Sequence, residues 1–292
     1  MRIGTIFPQT EIGGDVGAVR AYGQAVAGLG FAHIGIYDHV VGADPTVHTG
    51  WAGPYNLDST FHEPLVVFGY LAAIADVELV TQIIIGPQRQ TVLLAKQAAE
   101  VDLLTQGRFR LGLGVGWNAI EYEALGENFS TRGRRLDEQI TLLRRLWTES
   151  SITHHGEFDT VTGAGLAPMP VQRPIPIWLG AASPAAYQRI GRTADGWFPM
   201  RRPGPALDAA KSIVDNAAIA AGRDPATIGM EGGVSWSIDG GGENVANHAQ
   251  RWRDAGATHL SITTMNAGLS TVDAHIDALV KTANALGVNV GK

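Results

Sequence analysis

The polar residues able to do chemistry in this chain stand where apolar runs end. Gln9 and Glu11 follow the first such run, Asp38 and His39 follow HIGIY, and Gln88 and Arg89 follow LVTQIIIGP. Trp117 and Asn118 close LGLGVG, the small run Gly180-Ala181-Ala182-Ser183 precedes a helical pattern, and Trp197, Arg201 and Arg202 complete the set. A histidine titrating near neutrality suits proton transfer, and a carboxylate beside it suits orientation. Asp38 has a duller reading as a brace for its own loop, and His39 reads equally as a structural histidine. Free N–H groups at a helix start make Gly180–Ser183 an anion seat; Arg201 and Arg202 either add charge there or are solvated. His62 and Glu63 read as a helix start. His154 and His155 are adjacent on a strand pattern and point to opposite faces, so a shared metal is not expected.

Absent residues narrow the chemistry. The lysines are Lys96, Lys211, Lys281 and Lys292, each in a helical pattern or at the terminus. A Schiff-base enzyme needs a lysine inside its site. Cysteine is missing altogether, which excludes disulfides, thiol nucleophiles and thiolate metal sites. What remains is a set of tryptophans, an anion seat and little catalytic equipment. That combination suits a bound organic cofactor bringing its own reactivity.

The elements that position these residues alternate regularly. Short apolar runs at Arg2–Phe7, His33–Asp38, Leu79–Ile85, Arg108–Asn118, Ile175–Gly180, Gly196–Pro199, Ile228–Trp236 and His259–Thr264 read as strands. Helical periodicity follows each one, as in Val19, Tyr22 and Val26, or Leu136, Ile140, Leu143 and Trp147. Eight such units predict an α/β fold, a (β/α)8 barrel with its chemistry on the loops after the strands. An open doubly wound sheet is the alternative. Residues 41–62 read as a long loop, and Thr148–Arg173 as an inserted hairpin. One domain over residues 1–292 is expected.

The fourth strand has its own signature: Leu111, Leu113 and Val115 alternate with Gly112, Gly114 and Gly116. Such a strand either leaves a face open for something flat or packs tightly against its neighbours. A dinucleotide fingerprint fails, because its sixth position would be Trp117.

Hydrophobic content of 45% with 17% charged residues is that of a globular chain with a real core. A formal charge of −6 with no basic run argues against nucleic acid. The opening MRIGTIFPQ reads as a strand, not a signal peptide, and no apolar run approaches the roughly 18 residues of a membrane span. A soluble cytoplasmic protein with no membrane partner is expected.

With these residues in place, the chain resembles the luciferase-like monooxygenase superfamily, in its branch using the deazaflavin coenzyme F420. The resemblance rests on YDHV (Tyr37–Val40), GPQRQTVLLAKQAAEVDLLTQGR (Gly86–Arg108) and RLGLGVGWNAIEYEALG (Arg110–Gly126). TRGRRLDEQITLLRRLW (Thr131–Trp147), RPIPIWLGA (Arg173–Ala181) and ADGWFP (Ala194–Pro199) extend it over essentially the whole chain. It implies a barrel with the cofactor ring across the strand ends, touched by Asp38, Asn118 and Trp197 and bound at its phosphate by Gly180–Ser183. A bulge with a non-prolyl cis peptide at Gln82–Ile83 would back the ring, and Asp38 and His39 would be catalytic.

The resemblance also implies hydride transfer between F420 and a small organic molecule, with an FMN-dependent monooxygenase as the alternative. Gln9, Glu11, Trp51, His62 and Trp117 would line the substrate pocket. With no lysine for a phosphosugar, a pocket walled by Trp51, Trp117 and Trp197 suits an alcohol, aldehyde or unsaturated carbonyl. A cofactor-binding protein without turnover is the reading from another class, against which the His39–Asp38 pair speaks. Relatives pair barrel helices across a two-fold, so a homodimer through Leu65–Ala75 and Val92–Leu104 is expected.

Overall fold

A computed structural model of the chain describes residues 1–236 and 241–288. Its strands are β1 (Arg2–Ile6), β2 (His33–Ile36), β3 (Glu78–Thr81), β4 (Ile84–Ile85), β5 (Phe109–Gly114), β6 (Ile152–His155), β7 (Thr160–Ala164), β8 (Ile177–Ala181), β9 (Gly196–Pro199), β10 (Gly229–Ser235) and β11 (His259–Thr263). Strands β6 and β7 form the antiparallel hairpin of the insertion. The others pair in parallel in the order β3-β2-β1-β11-β10-β9-β8-β5-β4, and pairing of β3 with β5 closes the ring. Strands β3 and β4 are two halves of one stave, so the closed sheet is the eight-stave barrel that the alternation predicts.

The helices are α1 (Gln9–Ile12), α2 (Val16–Gly28), α3 (Pro64–Ala72), α4 (Thr91–Leu104), α5 (Ala119–Ala124), α6 (Arg132–Thr148), α7 (Pro184–Thr193), α8 (Pro205–Ala220), α9 (Gly241–Asp254) and α10 (Val272–Leu286). Several start where side chains take up free N–H groups: Asp15 accepts from Gly17, Glu63 from Val66 and Thr271 from Ala274. Their buried faces cover the barrel, so β2, β3 and β5 are buried along their whole length. Val16, in the first turn of α2, is exposed.

The split stave carries the expected bulge. Val80 pairs with Arg110 and Ile84 with Leu113, so a step of four residues on this stave faces a step of three on β5. One residue is extra, and the Gln82–Ile83 bond between the halves is cis. The glycines of β5 exist for this bulge. A Cβ on Gly112 would lie 1.9 Å from the Thr81 carbonyl oxygen, and one on Gly114 would lie 2.1 Å from Ile83 Cδ1. On the other side, a Cβ on Gly35 would meet the Gln82 amide at 2.8 Å. The glycine-spaced strand is therefore tight packing around the neighbouring stave, not a bare face awaiting a ligand.

Below the bulge the barrel interior holds ionisable residues carried by its strands. Glu231 accepts from Arg110 at 2.9 Å, from Gln82 at 2.5 Å and from Ser261, and lies 2.9 Å from His33 Nε2. Arg110 also reaches Glu78 at 2.9 Å and sits 4.4 Å over the Trp178 ring. Burial opposes the charge of Glu231, but His33 and Arg110 hold its carboxyl well below the usual range.

Candidate active site

Adjacent residues on an extended chain point apart, and Asp38 and His39 do so at the end of β2. Asp38 is buried; Oδ1 accepts from Arg89 at 2.9 Å and Oδ2 from the Ile85 N–H at 3.3 Å. Burial pushes its carboxyl up, against the pull of the Arg89 guanidinium and the Ile85 N–H. Arg89 also donates to Glu63 at 2.6 Å. Asp38 thus ties the loop after β2 to the upper half of the bulged stave. It does not orient His39, as the sequence reading expects.

That orientation comes from Glu121 of α5, a residue sequence reasoning passed over. Its buried Oε1 lies 3.2 Å from His39 Nδ1 and accepts the Val40 N–H at 2.9 Å. The signal was present but ambiguous. Glu121 stands three residues after Asn118, the spacing of a helix-capping pair. Asn118 does cap, its Oδ1 accepting from Ile120 at 3.1 Å, while Glu121 turns away to the histidine. Asn118 is buried and lines the wall beside His39.

Aromatic rings surround the His39 imidazole. Their centroids lie 4.7 Å away for Phe61, 5.1 Å for Tyr55 and 5.8 Å for Trp117. Trp51 leans on Trp117 at 5.6 Å. These residues come largely from the long loop after β2, which bonds mainly to itself. Leu57 donates to the Ala43 carbonyl, Ser59 to that of Asn56, and the Trp51 indole to that of Tyr55. Gly42 is required there, since a Cβ would lie 2.2 Å from the Asn56 carbonyl oxygen. A cavity of about 170 Å³ opens beside His39, between Tyr55, Phe61 and Asn118.

Other expected residues have different places. Gln9 is fully buried and spent on bracing, donating to the Tyr37 carbonyl and accepting from the His62 N–H. Glu11 accepts from the Asn266 N–H and from Thr10, joining α1 to the loop after β11. His62 packs on Phe7, its buried Nε2 without a partner among the described residues. Trp197 lies in the core beneath α7, edge-on to Tyr187, and so walls no pocket; its neighbour Phe198 points across the barrel toward Gly112. Ser183 caps α7 at 3.4 Å from the Ala186 N–H, with Ala182 and Ser183 exposed and Gly180 part-exposed at the strand end. His154 pairs with Glu138 while His155 is exposed, on opposite faces as expected. Among the described residues no three His, Cys, Asp or Glu side chains gather to hold a metal.

The mouth fits a flat ring on one observation. Ile83, part-exposed, lies over Gly114 and Gly180, where a Cβ would stand 2.1 Å and 3.4 Å from its side chain. Two staves without side chains at these points leave Ile83 and the Gln82–Ile83 peptide as a shelf.

Comparison with known proteins points the same way. The family model described as luciferase-like monooxygenase matches residues 1–279. An uncharacterised protein of Mycobacterium tuberculosis is 29% identical over 219 residues, 74% of each chain. An FMNH2-dependent dimethylsulfone monooxygenase of Pseudomonas putida is 32% identical over 166 residues, 56% of this chain and 45% of that one. Among solved structures, an F420-dependent secondary alcohol dehydrogenase in complex with an F420-acetone adduct superposes with a TM-score of 0.80. That match covers 98% of both chains at 16% identity, a likeness of fold. No helix among the described residues is long and apolar enough to cross a membrane.

Proposed function

Because the chain belongs to the luciferase-like monooxygenase family, we propose that it is an oxidoreductase transferring hydride between coenzyme F420 and a small organic substrate. The observation that carries this is the buried Glu121 carboxylate held against His39 within an aromatic cage, on a loop that Asp38 ties to the bulged stave. A carrier has no use for a histidine so placed.

When bound, F420 supplies a two-electron hydride acceptor or donor. Ile83 and the Gln82–Ile83 peptide would support its ring, and the Gly180–Ser183 turn its phosphate. Glu121 holds His39 by Nδ1, which leaves Nε2 to take the proton of a substrate hydroxyl or return it to a carbonyl oxygen. Tyr55, Phe61, Trp51 and Trp117 exclude water from that exchange. Arg89 bridges Asp38 and Glu63 at the edge of the site.

A second reading, an FMN-dependent monooxygenase, is favoured by the dimethylsulfone monooxygenase, 32% identical over 166 residues. One experiment separates the two. The purified protein is titrated spectrally with F420 and with FMN, then assayed for deazaflavin bleaching with alcohols and for oxygen uptake with reduced FMN. Micromolar binding of F420 and substrate-dependent bleaching are expected. Binding of FMN alone with oxygen uptake would replace this reading by the second, and cofactor binding without turnover would leave a carrier.

A further inference from the structure

A second and larger cavity, about 410 Å³, opens at the barrel mouth apart from the one beside His39. Its inner wall is made by Ile6, Tyr37, Gln82, Ser235 and Thr263. Burial pushes the Tyr37 phenol up, so that group stays a neutral donor. The negative charge beneath this wall, Glu231, is already taken by Arg110 and His33.

The cavity extends sideways from this wall to Arg202, Asn244, His248 and Arg251, where the pairing of β10 with β9 is short. Strand β10 pairs with β9 only through Gly229 and Met230, whereas its pairing with β11 runs on to Ser235. Asn244, His248 and Arg251 stand on one face of α9, at spacings of four and three. Arg251 is steadied by donating to the Pro203 carbonyl at 3.3 Å. Among the described lining residues none is acidic.

We infer that this cavity binds an elongated organic anion, its carbon end against Ile6 and Gln82 and its oxyanion head against Arg202 and Arg251. The inference rests on the oxidoreductase reading, and it adds to that enzyme a binding site for an organic acid or ester carrying a free carboxylate or similar oxyanion, apart from the cavity at His39. The missing lysines, which argue against a phosphosugar in the sequence, do not bear on it. Two arginines offer forked donors that suit carboxylate geometry better than ammonium groups do. A volume of this size matches a small-molecule site.

The test uses 4-phenylbutyrate and its neutral isostere 4-phenylbutanamide, measured by calorimetry with and without saturating F420. The acid binds and the amide binds at least tenfold more weakly, in either state of the protein. Arg202→Gln and Arg251→Gln each weaken the acid about threefold to tenfold and leave the amide unchanged. The double variant, checked for an unchanged thermal midpoint, no longer tells them apart. Equal binding of acid and amide, binding of neither at millimolar concentration, or no response to either substitution would overturn the proposal. Loss of acid binding once F420 is bound would assign the arm to the cofactor's own anionic part and overturn the proposal. Turnover does not enter these measurements, so a failure of the hydride-transfer reading leaves their outcome legible.

Discussion

His39 and Glu121 make one unit across two loops, and the unit can be taken apart. His39→Ala lowers turnover by about 10² to 10⁴ while leaving cofactor affinity nearly unchanged, as stopped-flow bleaching and fluorescence quenching would show. Glu121→Gln keeps the shape and removes the charge behind the imidazole, so kcat falls by about tenfold with KM unmoved. Full turnover in His39→Ala, on a substrate the wild type accepts, would place the proton transfer elsewhere. Ser183→Asp acts in the opposite sense, since a carboxylate at the α7 turn repels a phosphate; affinity falls first and turnover at saturation persists. Legibility at this scale depended on parity. Asp38 and His39 were placed at the site from sequence, but their neighbours in space, Arg89 and Glu121, lie 51 and 82 positions away. Nothing local says which long-range partner each takes. Trp197 failed for the same reason, because which of Trp197 and Phe198 faces inward is set by the register of β9 against β8.

The element that sets the mouth is the bulged stave with its glycine neighbours, and two similar substitutions on β5 have different outcomes. In Gly112→Ala the new Cβ meets a backbone carbonyl 1.9 Å away, so the stave itself must shift; the protein loses about 1 to 3 kcal/mol in urea unfolding. In Gly114→Ala it meets the tip of a movable side chain, Ile83 Cδ1, so stability changes less and cofactor affinity drops by about tenfold or more. Equal stability losses in the two variants would count against the shelf. The bulge and its cis bond were legible from family resemblance alone. The eight staves and the inserted hairpin were legible from alternation of apolar runs and turn residues, a purely local pattern. The meaning of the glycines was not, since a missing side chain marks close approach without saying what approaches.

For the whole molecule, the charged interior makes stability depend on acid. Burial, reinforced by Arg110, pushes His259 down to about 3, and Glu231 lies below its ordinary range through His33 and Arg110. Both groups bind protons more readily in the unfolded chain. Their stabilisation is present above about 6.5 for the histidine and about 4.5 for the glutamate, and is lost as pH falls toward the folded values. Asp38, raised by burial, runs the other way and offsets part of the acid limb. Urea midpoints should be level above pH 7, decline below 6.5 and fall faster below 4.5; His259→Gln should flatten the upper part. A midpoint constant from pH 8 to 4 would contradict this account. Assembly is the other property at this scale. Val66 on α3 and Leu93 and Leu104 on α4 are 71%, 52% and 54% exposed, an apolar surface suited to a second copy. A homodimer is expected, and a light-scattering mass near 30.9 kDa at micromolar concentration would refute it. The self-bonded loop over His39 has a consequence for how such enzymes diversify. It closes on itself through Gly42, Ala43, Asn56 and Leu57, so it is a transplantable cassette. Grafting the corresponding segment of a relative between Val41 and Phe61 should exchange the preferred substrate while the host barrel keeps its cofactor and its melting temperature.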